Sequence, residues 1–174
     1  MNLDISSDLV SLIELNISRT AITWLDTQHN QALRKVDCSN CENLKSLNCD
    51  NIESLIEIVL VGCTALESIN CSGTSISSLN VESCRNLQSL DCSNTPISSL
   101  NFESCRNLHY LSSLDCNKLL KKVPSWFSKS ITFRHDARYY DYEWKETELG
   151  TRYLYYKDRG YGWWYEGEPG RGYH

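Results

Sequence analysis

Two adjoining stretches of this chain carry nearly the same text: LESINCSGTSISSLNVESCRN (residues 66–86) is followed at once by LQSLDCSNTPISSLNFESCRN (residues 87–107). Leu66, Leu87 and Leu108 share a phase, as do Ile69, Leu90 and Leu111, Cys71 and Cys92, Ile76 and Ile97, and Cys84 and Cys105. A fixed period of this size is the mark of a solenoid, whose units bury their apolar faces only against neighbours. One unit cannot stand alone. Its half-dozen apolar side chains supply about 1.5–3 kcal/mol each when buried, against about 1–2 kcal/mol of backbone entropy for every ordered residue. Stacking supplies the missing burial and lets strand hydrogen bonds run from coil to coil.

The phase extends outward. Leu12, Leu15, Ile17, Thr20 and Ile22 align with Leu66, Ile69, Cys71, Thr74 and Ile76. Leu33, Val36, Cys38 and Cys41 run straight into Leu44, Leu47 and Cys49, which reads as a unit missing its second half. LSSLDCN (residues 111–117) reads as a strand restarting after a small insertion. The expectation is about five to six coils over residues 9 to 123.

At Leu87, Leu90, Cys92, Thr95 and Ile97, and at the matching residues from Leu66 and Leu12, the pattern resembles the leucine-rich repeat, in a short cysteine-containing form. The resemblance implies a strand at each LxxLxC on the concave side and a return path on the convex side. The usual ladder asparagine is replaced by Thr20, Cys41, Thr74 and Thr95, so hydroxyls and thiols must satisfy the buried turn. The return halves, with Pro96, Ser98 and Ser99, are too short and serine-rich for a helix; turns, short 3₁₀ pieces or a second strand at ISSLNV are expected. The fold class is thus an α/β-type repeat solenoid dominated by parallel β-strands and turns, over residues 1–124, with a small antiparallel aromatic β tail over residues 125–174.

Nine cysteines raise the question of disulfides or metal. Cys71 and Cys92 fall in one core row, with Cys38, Cys49 and Cys116 in related positions, and Cys63, Cys84 and Cys105 in another. Recurrence once per repeat is the behaviour of small buried hydrophobes, and the odd count with no secretory leader favours free thiols. Cys38 and Cys41 form a CxxC, but no second ligand pair follows at zinc spacing, so no metal or cofactor is expected. No apolar run is long enough to span a membrane and the first residues lack a basic leader segment. A cytoplasmic monomer is expected, or an effector exported by a non-classical route and acting on a host protein.

The outward letters of LxxLxC form three rows: Lys45, Glu67, Gln88, His109; Ser46, Ser68, Ser89, Tyr110; and Asp37, Asn48, Asn70, Asp91, Asp115. This polar ledge, with Glu67, Asn70, Gln88, Asp91, His109 and Tyr110, is the candidate partner-binding surface for a protein or peptide. The alternative is a plain solvated face. Residues 1–117 carry 6 Lys and Arg against 14 Asp and Glu, a net of −8, and residues 118–174 carry 11 against 8, a net of +3. An acidic body excludes nucleic acid as the expected partner.

Nine of the ten tyrosines lie at or beyond Tyr139, and four of the five tryptophans from Trp126 on. The runs around Trp144, Tyr153, Tyr155 and Trp164 read as short strands joined by turns. They form either a cap over the open solenoid end or a miniature binding sheet. The spacing of Trp144, Gly150, Tyr153 and Trp164 resembles a WW domain, which implies a grip on proline-rich peptides. The expected proline after the second tryptophan is displaced to Pro169. Catalysis is not expected: His29, His109, His135 and His174 are scattered, and no GxGxxG, Walker loop, HExxH or GxSxG occurs.

Overall fold

In the computed structural model, residues 11–113 and Cys116 are described, Ser99 by its backbone alone, and so are the strands at 2–4, 132–134, 142–146, 152–156 and 161–164 by their backbone. Each strand of the main body is three residues long, and in those whose side chains are described the middle one is turned inward. Ser46–Asn48, Ser68–Asn70 and Ser89–Asp91 share one burial pattern, half-buried, buried, half-buried.

Strands alternate between two faces. The first face is one seven-stranded parallel sheet, in the order β1 (Asn2–Asp4), β3 (Trp24–Asp26), β5 (Ser46–Asn48), β7 (Ser68–Asn70), β9 (Ser89–Asp91), β11 (Tyr110–Ser112), β12 (Thr132–Arg134). The second face holds β2 (Glu14–Asn16), β4 (Lys35–Asp37) and β6 (Glu57–Val59) in one ladder, and β8 (Ser78–Asn80) with β10 (Ser99–Asn101) in another. β8 and β10 are the second strand anticipated at ISSLNV. No helix occurs among the described residues.

The unit of construction is therefore a half-coil, in which the first, fourth, sixth and ninth residues face inward. Leu33, Val36, Cys38 and Cys41 make one half-coil on the second face; Leu44, Leu47, Cys49 and Ile52 make the next on the first face. All eight are essentially inaccessible to solvent. This corrects the sequence reading at four points. Nothing is missing after Cys41, because the second half of that coil begins at Leu44. The half-coil from Leu12 is not equivalent to that from Leu66: β2 pairs with β4 on the second face and β7 with β5 on the first. LSSLDCN does not open a new strand at Leu111, because Leu111 already lies within the strand Tyr110–Ser112; Leu114, Asp115 and Asn117 lie outside the described residues. Asp37 leaves the ledge, since β4 lies on the second face. The spine itself stands: Leu66, Leu87 and Leu108 are buried beside strands that pair in register.

The turns recur too. The residue that ends a strand is usually Asn or Asp, and its side-chain oxygen accepts the amide two residues on: Ser18 N to Asn16, Ser39 N to Asp37, Ser72 N to Asn70, Ser93 N to Asp91. Short polar side chains favour such turns for this reason. Three residues after the strand the chain enters the left-handed region at Arg19, Asn40, Asn51, Gly62, Gly73 and Asn94. Asn tolerates that conformation and glycine adopts it freely. At Gly62 two features favour glycine: the left-handed backbone (φ +79°) strains most other residues, and a Cβ would stand 2.5 Å from the Asn40 side-chain oxygen one coil away, so that side chain would have to shift.

Beyond the solenoid, β13 (Tyr142–Glu146), β14 (Arg152–Tyr156) and β15 (Tyr161–Trp164) form a three-stranded antiparallel sheet. Apart from these strands and β12, which pairs with β11 of the solenoid, the 125–174 segment lies outside the described residues.

Gly62→Ala should cost about 1–3 kcal/mol through backbone strain and the clash with Asn40. Urea unfolding with an unchanged slope and a lower midpoint is the expected result.

Candidate functional site

The first face is a flat strip of short parallel strands, and its register sets the outward rows. Trp24 pairs with Ser46, Ser46 with Ser68, Ser68 with Ser89, and Ser89 with Tyr110. Steps of about 4.8 Å make this a column of roughly 19 Å from ring to ring. Ser46, Ser68 and Ser89 are half-buried, and their hydroxyls make no hydrogen bond among the described residues. The predicted row of serines ending at Tyr110 is thus brought together. Trp24, 38% exposed, closes its other end. Trp24 is absent from the predicted row because the sequence alignment matches Ile22 to Ile76, which assigns its half-coil to the return path, whereas its strand pairs with Ser46–Asn48 on the first face.

Beside the serines, Lys45, Glu67, Gln88 and His109 form the second predicted row. Lys45 Nζ reaches Glu67 Oε1 at 3.0 Å, with both side chains well exposed; such a pair contributes little stability and mostly cancels local charge. The third row is Asp26, Asn48, Asn70, Asp91 and Ser112; Asp115 lies outside the described residues. Its members are half-committed, because Asn70 and Asp91 each hold a turn amide and Asp26 also accepts Asn48 Nδ2 at 3.3 Å. Charge reversal at Asp91 would therefore disturb a turn as well as a surface. Of the six ledge residues, Gln88, His109 and Tyr110 carry none of this structural duty in the described hydrogen bonds.

Beneath the two faces run the cysteines. Cys49, Cys71 and Cys92 stack on the first face, and Cys41, Cys63, Cys84 and Cys105 stack at the turns of the second; all are free and buried. Cys38 belongs to the second face and Cys116 to a turn of the first, so neither joins the Cys71 and Cys92 row. Thiols satisfy the turn carbonyl of the preceding coil: Cys41 Sγ to Ile17 O at 3.0 Å, Cys63 Sγ to Cys38 O at 3.0 Å, Cys105 Sγ to Val81 O at 3.4 Å. Thr20, Thr74 and Thr95 instead donate to their own turn, reaching Ile17 O, Cys71 O and Cys92 O at 2.7–2.8 Å. This is the substitution of hydroxyl and thiol for amide anticipated at Thr20, Cys41, Thr74 and Thr95. One true asparagine does occupy that position, Asn30, fully buried. Burial pushes the Cys49 and Cys84 thiols up to about 12 and Cys63 to about 11, so these sulfurs stay protonated and unreactive at neutral pH. No group of three or more His, Cys, Asp or Glu able to hold a metal occurs among the described residues.

In the tail sheet, Trp144 pairs with Leu154 and Leu154 with Trp163, while Tyr153 pairs with Trp164 and Tyr155 with Gly162. Trp144 and Trp164 therefore stand in adjacent register rows.

Strands stacked in register, with aliphatic residues at the first and fourth positions of each half-coil and cysteine recurring at the sixth and ninth, make a parallel-strand solenoid whose repeats resemble cysteine-containing leucine-rich repeats. No protein-family model and no curated protein matches the sequence. Among solved structures the chain is similar to the functional domain of InlJ from Listeria monocytogenes, described as including a cysteine ladder, with 22% identity and a TM-score of 0.49. The match covers 78% of this chain and 36% of that one.

Hydrogen bonds from the Ser39 hydroxyl and amide hold the Asp37 carboxyl below the usual aspartate range. A lowered folded pKa means stability that is present above the unfolded value, about 3.9, and lost as pH falls through the folded one. Asp37→Asn keeps a turn acceptor without the titration, so its thermal midpoint should fall less than wild type on acidification below about pH 4.

Proposed function

We propose that the chain is a non-catalytic protein-interaction scaffold whose first face docks a protein or peptide partner along the column from Trp24 to Tyr110. The observation that carries this reading is the in-register row of uncommitted serine hydroxyls bracketed by two aromatic rings. A flat floor of small polar groups with aromatic ends accepts an extended chain, the rings supplying anchoring area and the hydroxyls hydrogen bonds. Glu67, Asn70, Gln88, Asp91 and His109 border the floor. Burial keeps the Cys49, Cys63 and Cys84 thiols protonated at neutral pH, which supports a packing role for them rather than a nucleophilic one. Nine buried free thiols support a reducing, cytoplasmic setting; no helix of the described residues is long and apolar enough to cross a membrane.

A second reading concerns the tail. The three-stranded antiparallel order, with Tyr153 opposite Trp164, favours a WW-like sheet that takes a proline-rich segment.

For the first face, Gln88→Ala with Tyr110→Ala should weaken capture of a partner by about tenfold or more with the thermal midpoint nearly unchanged. Full-strength capture by the double variant would exclude the ledge. For the tail, a proline-rich peptide titrated onto the full chain should bind and lose binding with Trp164→Ala.

A further inference from the structure

The half-coil beginning at Leu55 breaks the rules that the other half-coils obey. Its text, LIEIVLVG, puts Ile56, Val59 and Val61 at three outward positions. Ile56 is 50% and Val61 58% exposed. Val59 replaces the Asn or Asp that ends nearly every other strand, so no side-chain oxygen holds the following turn there. Directly below it the second face parts: β6 pairs only with β4, and β8 only with β10. The parting leaves a groove of about 160 Å³ bordered by Ile56, Val59, Val61, Ser78 and Asn80.

The patch has a charge at its upper edge. Register stacks Ile13, Arg34 and Ile56 one step apart, since the neighbouring Glu14 pairs with Lys35 and Lys35 with Glu57. Ile13 is 57% exposed. Lys35 is occupied by Glu57 at 2.9 Å, whereas Arg34 makes no ion pair or side-chain hydrogen bond among the described residues. A guanidinium with no side-chain partner among the described residues thus stands between two exposed isoleucines on a body of net negative charge.

We propose that this second-face patch docks a short segment of a partner protein that carries one carboxylate flanked by apolar side chains. The guanidinium selects the carboxylate, in paired geometry that lysine would not match. Ile13, Ile56, Val59 and Val61 take the apolar neighbours, one of them entering the groove. Size argues against a second copy of this chain: a stable dimer buries about 800 Å² a side, and a handful of half-exposed aliphatic residues falls well short of that. A basic or nucleic-acid occupant would meet Arg34 with like charge or lack apolar groups for the isoleucines. The patch is separate from the first-face column and does not depend on it.

The test pans a phage-displayed library of random dodecapeptides against the full-length chain, then measures enriched peptides against Arg34→Glu, the pair Ile56→Ser with Val61→Ser, and Tyr110→Ala. The expected result is an acidic residue flanked by apolar ones in the enriched set, with affinity about tenfold or more lower for the first two variants and unchanged for Tyr110→Ala. Peptides that bind the second-face variants as well as wild type, a basic consensus, or no enrichment over a blank surface would each overturn the proposal. So would a dimer in light scattering that dissociates in the Ile56 and Val61 variant. Should that pair fail to fold, Arg34→Glu alone decides, since Arg34 is exposed and outside the core. Loss of peptide binding only in Tyr110→Ala would refute this patch and leave the first-face reading standing.

Discussion

From Ile22 onward each half-coil of this solenoid turns the same four positions inward, where those side chains pack against the coils above and below; in the half-coil from Leu12 only Ile17 is fully enclosed. The burial is complete where it matters: Leu33, Leu44, Leu66 and Leu87 are inaccessible, and so are the cysteines from Cys38 to Cys105. A chain so thin has no second layer to hide turn carbonyls from its own interior, and a buried carbonyl left unpaired is costly. Thiols and threonine hydroxyls meet that need. Cysteine is small enough to stack at each coil and still gives a weak donor to the carbonyl one coil back, which is why it recurs where a bulkier apolar residue would leave the carbonyl bare.

The same economy frees the surface. With turns held by Asn and Asp at strand ends and the interior by leucine and cysteine, several outward positions are released from structural duty, although Ser54, Ser75, Asn86 and Ser104 still bond the backbone of a neighbouring coil. On the first face they form the serine column between Trp24 and Tyr110. On the second, the half-coil at Leu55 gives up the strand-end Asx at Val59, and the ladder beneath it parts. Function in such a protein is best sought where a repeat departs from its own template, because conformity needs no further explanation.

Much of this was legible in the sequence. The period, the spine through Leu66, Leu87 and Leu108, the solenoid, the thiol-for-amide exchange and the serine row ending at Tyr110 follow from residues that recur in register. What escaped was the half-coil. LxxLxC occurs on both faces, so an alignment can slip by half a coil and still match leucine to leucine; this is how Leu12 was equated with Leu66 and Asp37 with Asn48. A slip of this kind is invisible to apolar pattern alone, as in any register problem between strands. Asn30 and Trp24 escape for the same reason, since Ile22 matches Ile76 and the slip puts their half-coil on the return path, and Ile56 and Val61 escape because aliphatic residues in a leucine-rich chain read as core.

The claim on which everything turns is that successive half-coils go to opposite faces. Nuclear Overhauser contacts between backbone protons decide it directly. Val36 should show interstrand contacts to Ile58, and Leu47 to Ile69, with none between the backbones of Val36 and Leu47 despite their nearness in sequence. Backbone contacts from Val36 to Leu47, or from Leu15 to the strand of Leu25, would place consecutive half-coils side by side in one sheet and contradict the account.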